Sequence, residues 1–262
     1  MSERDGYEAG VPCWVATTHP EPQDALAFYT QLFGWEVRES PDRYLICTLR
    51  GRDVAAIGEG SPAAWHTYVW VDSADDTAVT VTEAGGSVVA EPFDVPSVAR
   101  VALLADPAGA VFGVWQPREH LGARLVNEPG AWSMGALNSP DPDGAKEFYS
   151  AVFGWVAETM DLGGGMAFTL FRLTGYEGGE PQQPVPRDVI ATMAPTPGDG
   201  VPPHWSPDFW VDDIDAAAER AVELGGQLLA PPYDIPGTPL RQAVLADPQG
   251  ATFSATKVTV GP

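Results

Sequence analysis

Two side chains in this sequence stand out for the chemistry they could perform. His66 lies in the segment WHTYVWVD, and Asp208 in the matching segment WSPDFWVD. An imidazole titrates near neutral pH and serves as a general base once a carboxylate or carbonyl orients it. A carboxyl turned into a cavity has its pKa raised by desolvation, which suits it to the same task. His66 and Asp208 are therefore the candidate catalytic residues, with a salt bridge to an arginine such as Arg241 as the structural alternative for Asp208. Residues two apart on a strand share a face. By that rule His66 brings Tyr68 and Trp70 with it, and Asp208 brings Ser206 and Trp210. Neighbouring strands add Cys13, Trp115, Ser133 and Ser254 as candidate substrate-binding residues. Continued along the first strands, the alternation carries Val15 and Thr17, or Gly135 and Leu137, onto that face as well. Aromatic walls with a few polar groups are the usual make-up of a small-molecule pocket. Tyr68, Trp70, Trp115 and Trp210 offer stacking surfaces, so the expected ligand is an aromatic small molecule.

Other chemistries lack their residues. Cys13 and Cys47 fit no CxxC or paired-ligand spacing and read as buried thiols. No glycine-rich loop opens a helix after a strand, and there is no GxSxG elbow, so nucleotide cofactors and serine hydrolysis are not expected. The run Gly163–Gly165 reads as a hairpin turn. With 36 acidic against 14 basic residues, the formal charge of −22 repels nucleic acid and anionic membranes alike. No window approaches the roughly 20 apolar residues of a membrane span, and no secretory leader pattern opens the chain. The expectation is a cytoplasmic protein without nucleic-acid or membrane partners.

The elements that must hold these residues come in two copies. GVPCWVATTHPEPQDALAFYTQLFGW (10–35) aligns without gaps on GAWSMGALNSPDPDGAKEFYSAVFGW (130–155), and the stretch 69–96 aligns on 209–236. Two modules follow, 8–117 and 130–258, with 118–129 as linker. In each, a first helix (25–33 or 145–153) ends at glycine, and a second (75–84 or 214–224) closes on a Gly-Gly pair. Short β-branched and aromatic runs between them read as strands, giving a βαβββ order twice per module.

FYxxxFGW after the first helix, WVD opening the second and ADPxG before the last strand resemble the vicinal-oxygen-chelate superfamily, and more closely its tandem glyoxalase-like proteins of actinobacterial type. The resemblance spans nearly the whole chain. It implies an α+β fold of two tandem modules, each a pair of βαβββ units forming a cupped mixed sheet with helices on the convex side. It also implies a divalent metal held by a His in the first strand, a His in the fifth and a Glu in the eighth. Carried over, those positions are Cys13, His66 and Gly113 in module one, and Ser133, Ser206 and Ser254 in module two. Serine hydroxyls are poor ligands for such metals. No metal or other cofactor is expected, with His66 and Cys13 the first ligands to consider if one binds. The resulting expectation is a metal-independent pocket doing proton transfer, cyclisation, isomerisation or cofactor-free hydroxylation in bacterial secondary metabolism. The alternatives are drug sequestration without turnover and a metal-dependent glyoxalase or extradiol-type dioxygenase. The modules pair within one chain, so a monomer or a homodimer is expected.

Overall fold

The structure is a computed structural model that describes residues 3–39, 44–163, 166–178, 186–198 and 200–259. The hairpin expected at Gly163–Gly165 falls partly outside those residues. Module one runs β1 (Pro12–His19), α1 (Pro22–Phe33), β2 (Glu36–Glu39), β3 (Leu45–Leu49), β4 (Arg52–Glu59), β5 (Ala64–Trp70), α2 (Ala74–Glu83), β6 (Ser87–Val95), β7 (Ala99–Ala105) and β8 (Val111–Pro117). Module two repeats it as β9 (Trp132–Ser139), α3 (Pro142–Phe153), β10 (Val156–Gly163), β11 (Met166–Arg172), β12 (Val189–Pro195), β13 (His204–Trp210), α4 (Ile214–Glu223), β14 (Gln227–Asp234), β15 (Leu240–Ala246) and β16 (Thr252–Val258). Each module forms an eight-stranded mixed sheet, ordered β2-β3-β4-β1-β5-β8-β7-β6 and β10-β11-β12-β9-β13-β16-β15-β14.

Helices α1 and α3 start three residues before the expected boundary, because Pro22 and Pro142 occupy the first turn, where a missing N–H costs nothing. Both stop at glycines in the left-handed region, Gly34 and Gly154, each with φ 71°. Strands β6 and β14 run on through Pro92, Pro231 and Pro232, which is tolerated because both are edge strands.

The motifs that repeat are the seam between the modules. Phe33 of α1 packs tilted on Phe209 of β13 at 4.8 Å, and Phe112 of β8 meets Tyr149 of α3 at 5.7 Å. Tyr29 of the first FY motif donates to Asp247 of the second ADPxG turn at 2.8 Å and receives the indole N–H of Trp65 at 2.9 Å. The pseudo-symmetric set is Tyr149 donating to Asp106 at 3.3 Å and Trp205 donating to Tyr149 at 2.8 Å. Each motif tryptophan also crosses over: Trp35 donates to the Gly130 carbonyl and Trp155 to the Gly10 carbonyl. His19 belongs to this seam, fully buried with Nε2 3.5 Å from Asp247. The linker is no loose tether, since Ala123, Leu125 and Val126 are buried in a core cluster that also holds Phe209 and Phe253.

This seam decides which way the site residues point. Trp65 of β5 packs on Phe209 of β13 at 5.3 Å, and the Thr67 methyl lies beside Gly135 of β9. The Trp65/Thr67 face of β5 and the Trp205/Phe209 face of β13 are therefore turned toward each other. His66 and Asp208 lie on the opposite, outward faces, in different cups.

Candidate functional site

The registers show where strand alternation misleads. A β-bulge between Pro12 and Trp14 puts Trp14 opposite Tyr68 and Ala16 opposite His66, so Trp14 and Ala16 line the cup. Val15 and Thr17 pair with Thr67 and Trp65 and face the seam, contrary to the alternation counted from Cys13. In module two Met134 pairs with Asp208 and Ala136 with Ser206, while Gly135 and Leu137 turn to the seam.

Module one's cup is filled by its own side chains. Tyr68 lies across Gly113, close enough that a β-carbon there would stand 2.1 Å from the ring. Trp115 packs on Tyr68 at 5.7 Å, on Trp14 at 6.1 Å and on His120 at 5.4 Å, and its indole donates to the His120 carbonyl. The linker straps the cup: the Ala123 N–H donates to the Cys13 carbonyl and the Arg124 N–H to the Asp53 carbonyl. Tyr7 packs beside Trp70 at 6.2 Å and donates to the Ala123 carbonyl. His66 is half-buried, with Nδ1 unpartnered among the described residues, and desolvation pushes its pKa down to about 4. It is neutral at physiological pH. His120, which the sequence reading passed over, caps this cup with Nε2 3.3 Å from Asp53, beside a cleft of about 220 Å³.

Module two's cup has the same positions in polar form. Tyr68, Val101 and Trp115 become Asp208, Gln242 and Thr256, while His66 and Gly113 become Ser206 and Ser254. Asp208 is buried, and its carboxylate accepts from Thr256 Oγ1 at 2.6 Å, Ser133 Oγ at 2.8 Å and Gln242 Nε2 at 3.4 Å. Gln242 in turn receives the Tyr233 hydroxyl at 2.7 Å. Burial pushes the Asp208 carboxyl up to about 7 against the opposing pull of the three donors. Arg241 does not pair with it, because that guanidinium binds Asp215 and Asp234 on the exposed side. Trp210 pairs with Thr256 across β13 and β16 and forms a half-buried aromatic wall beside the network. Ser206 and Ser254 lie 5% and 7% exposed on the same face, and among the described residues the Ser206 Oγ has no hydrogen-bond partner. Gln242 and Tyr233 were not singled out in the sequence, although reading Gln242 against Val101 in the aligned repeat exposes a polar residue at a core position.

Among the described residues neither cup presents the donor set of a metal centre. In module one Tyr68 occupies the space above Gly113 where a carboxylate ligand would project. Cys13 is wholly buried, and desolvation drives its thiol far from the thiolate a metal needs. In module two the ligand positions are serines. Among the described residues no three His, Cys, Asp or Glu side chains converge. A chelator is accordingly expected to leave the melting temperature and ligand affinity of the purified protein unchanged, and a fall in either would mean that a metal is held.

The self-filled cup makes its own prediction. Gly113→Ala should cost about 1–3 kcal/mol through overpacking against Tyr68. The same change in a Tyr68→Ala background should cost far less, a non-additivity that denaturant titration of the four proteins would read.

A model of the glyoxalase-like domain matches residues 14–115 and 134–256. The chain is 38% identical over 270 residues to "Putative glyoxylase CFP32" of Mycobacterium bovis, covering 98% of each chain. It is 32% identical over 277 residues to "Anthracycline biosynthesis protein DnrV" of Streptomyces peucetius, covering 97% of this chain and 96% of that one. Among solved structures, the Mn(II)-bound glyoxalase from Novosphingobium aromaticivorans superposes with a TM-score of 0.65 at 18% identity, over 96% of this chain and 83% of that one. The 2,2',3-trihydroxybiphenyl 1,2-dioxygenase of Sphingomonas wittichii strain RW1 gives 0.63 at 13% identity, over 95% and 91%. Among the described residues no helix is long and apolar enough to cross a membrane.

Proposed function

The chain belongs to the glyoxalase-like family of the vicinal-oxygen-chelate superfamily, and from that premise we propose that module two's cup binds a planar aromatic small molecule and moves a proton on it through Asp208. The observation that carries this is the Asp208 carboxyl, buried on the cup face and bracketed by Thr256, Ser133 and Gln242, with burial pushing its pKa up to about 7. A group poised there takes and returns protons with little penalty in either direction. Trp210 and Tyr233 supply stacking walls, and the relative named for anthracycline biosynthesis supports a polycyclic aromatic ligand in secondary metabolism. Binding and positioning fall to the aromatic walls and the hydroxyls, and proton transfer to the carboxylate. No step runs through a metal, because the residues do not fit one. His66, facing the other cup, takes no part in this step.

The test is hydrogen exchange on an aromatic ketone. Incubated with the protein in heavy water, α-tetralone is expected to gain deuterium at the carbon beside its carbonyl faster than in buffer. Asp208→Asn should lower the rate by about 10²–10⁴-fold, the range for loss of a general acid–base. Binding without exchange would instead favour the second reading, a sequestering protein, which shares the same aromatic cup.

A further inference from the structure

Ser206 is a hydroxyl with nothing to hold. It sits in the middle of β13, 5% exposed, with Oγ buried and unpartnered among the described residues. Trp205, one residue before, sends its indole to Tyr149 in the seam, and Phe209 packs on Trp65 there, so Ser206 and Asp208 share the cup face. A buried hydroxyl left without a partner costs about 1–3 kcal/mol, and in a cup wall it is placed to meet a group that enters the cup. Asp208 differs in kind, since three protein donors already satisfy much of it.

We infer that Ser206 is the donor for a ligand carbonyl oxygen, and that the substrate class of this cup is aromatic ketones with an acidic hydrogen next to the carbonyl. Two residues apart on a strand means roughly 6–7 Å between α-carbons. A carbonyl and its adjacent C–H, with a contact of hydrogen-bond length to a side chain at each end, bridge that step, with the oxygen toward Ser206 and the hydrogen toward Asp208. The chemistry then balances. The Asp208 carboxylate removes the proton and the C–H electron pair forms the enolate double bond. The carbonyl π pair moves to the oxygen, where the Ser206 O–H stabilises the developing charge. The protonated Asp208 returns the proton to the same carbon or to another position of the enolate. This inference rests on the proposed aromatic cup.

Affinities of α-tetralone and tetralin, the same rings without the carbonyl, measured by NMR for wild type and Ser206→Ala, test it. Wild type should favour the ketone by about tenfold, the upper range for one neutral hydrogen bond, and Ser206→Ala should erase that preference while binding tetralin as before. Removing an unpartnered hydroxyl should also leave the empty protein at least as stable as wild type, where a structural serine would lower its melting temperature. A ketone preference that survives in Ser206→Ala, or a destabilised Ser206→Ala, overturns the assignment of Ser206 and leaves the aromatic cup standing. Failure of both compounds to bind wild type overturns the cup reading itself.

Discussion

Asp208→Asn should stabilise the protein at pH 8 by about 4 kcal/mol relative to wild type and have almost no effect at pH 4. The folded chain keeps the Asp208 proton up to about pH 7, whereas the unfolded chain releases it near the ordinary aspartate value. Between those values the folded state binds one more proton, so wild-type stability falls as pH rises, by about 1.4 kcal/mol per pH unit, and levels off above 7. Asparagine removes the titration and with it the slope. His66 works in the opposite direction. Its folded pKa of about 4 lies below the unfolded value, so its contribution is lost as pH falls from about 6.5 toward 4. Wild type therefore hides two opposed slopes over nearly the same window, and only the variants separate them. Denaturant titrations of wild type, Asp208→Asn and His66→Gln from pH 4 to 8 would show Asp208→Asn gaining on wild type with pH. His66→Gln would gain on it as pH falls. A wild-type to Asp208→Asn difference that does not vary with pH would mean the carboxyl is not held protonated.

Asp247→Ala is expected to cost about 3–5 kcal/mol, because each buried group that loses its partner costs about 1–3 kcal/mol. One oxygen accepts the Tyr29 hydroxyl at 2.8 Å and lies 3.5 Å from His19, and the other caps its own turn through the Gln249 and Ala251 N–H groups. Tyr29 and His19 belong to module one, so the loss loosens the seam as well as the turn. Because the modules share core clusters, wild type should unfold in one transition, and the variant should do so at markedly lower denaturant. An unchanged midpoint would show that the motif aspartates matter for something other than holding the modules together.

Much of this was legible in the sequence, because the repeat sets the same spacing of helix starts, glycine stops and strand runs twice. Fold and family followed from motifs whose residues turn out to be packing: Phe33, Trp35 and their copies clamp one module on the other. The site was less legible for two physical reasons. A single bulge at Cys13 shifts the face count of β1, which the residues themselves do not announce. Which residues meet also depends on which face of β5 and β13 is turned to the seam, and that is settled only by packing between modules. So His66 and Asp208, equivalent in the reading of alternation, lie on opposite outward faces, while Ser133 and Asp208, separated by 75 residues, meet at 2.8 Å. Gln242 completes the network from β15, where its signal lay in the contrast with Val101.

The most direct test of the central claim, that module two's cup holds the ligand, is the affinity of α-tetralone for wild type, Trp210→Ala and His66→Gln under one set of conditions. Trp210→Ala should bind more weakly, by about tenfold for one lost stacking wall, and His66→Gln should bind as wild type does. Loss of binding in His66→Gln with Trp210→Ala unaffected would place the ligand in module one's cup and contradict the account.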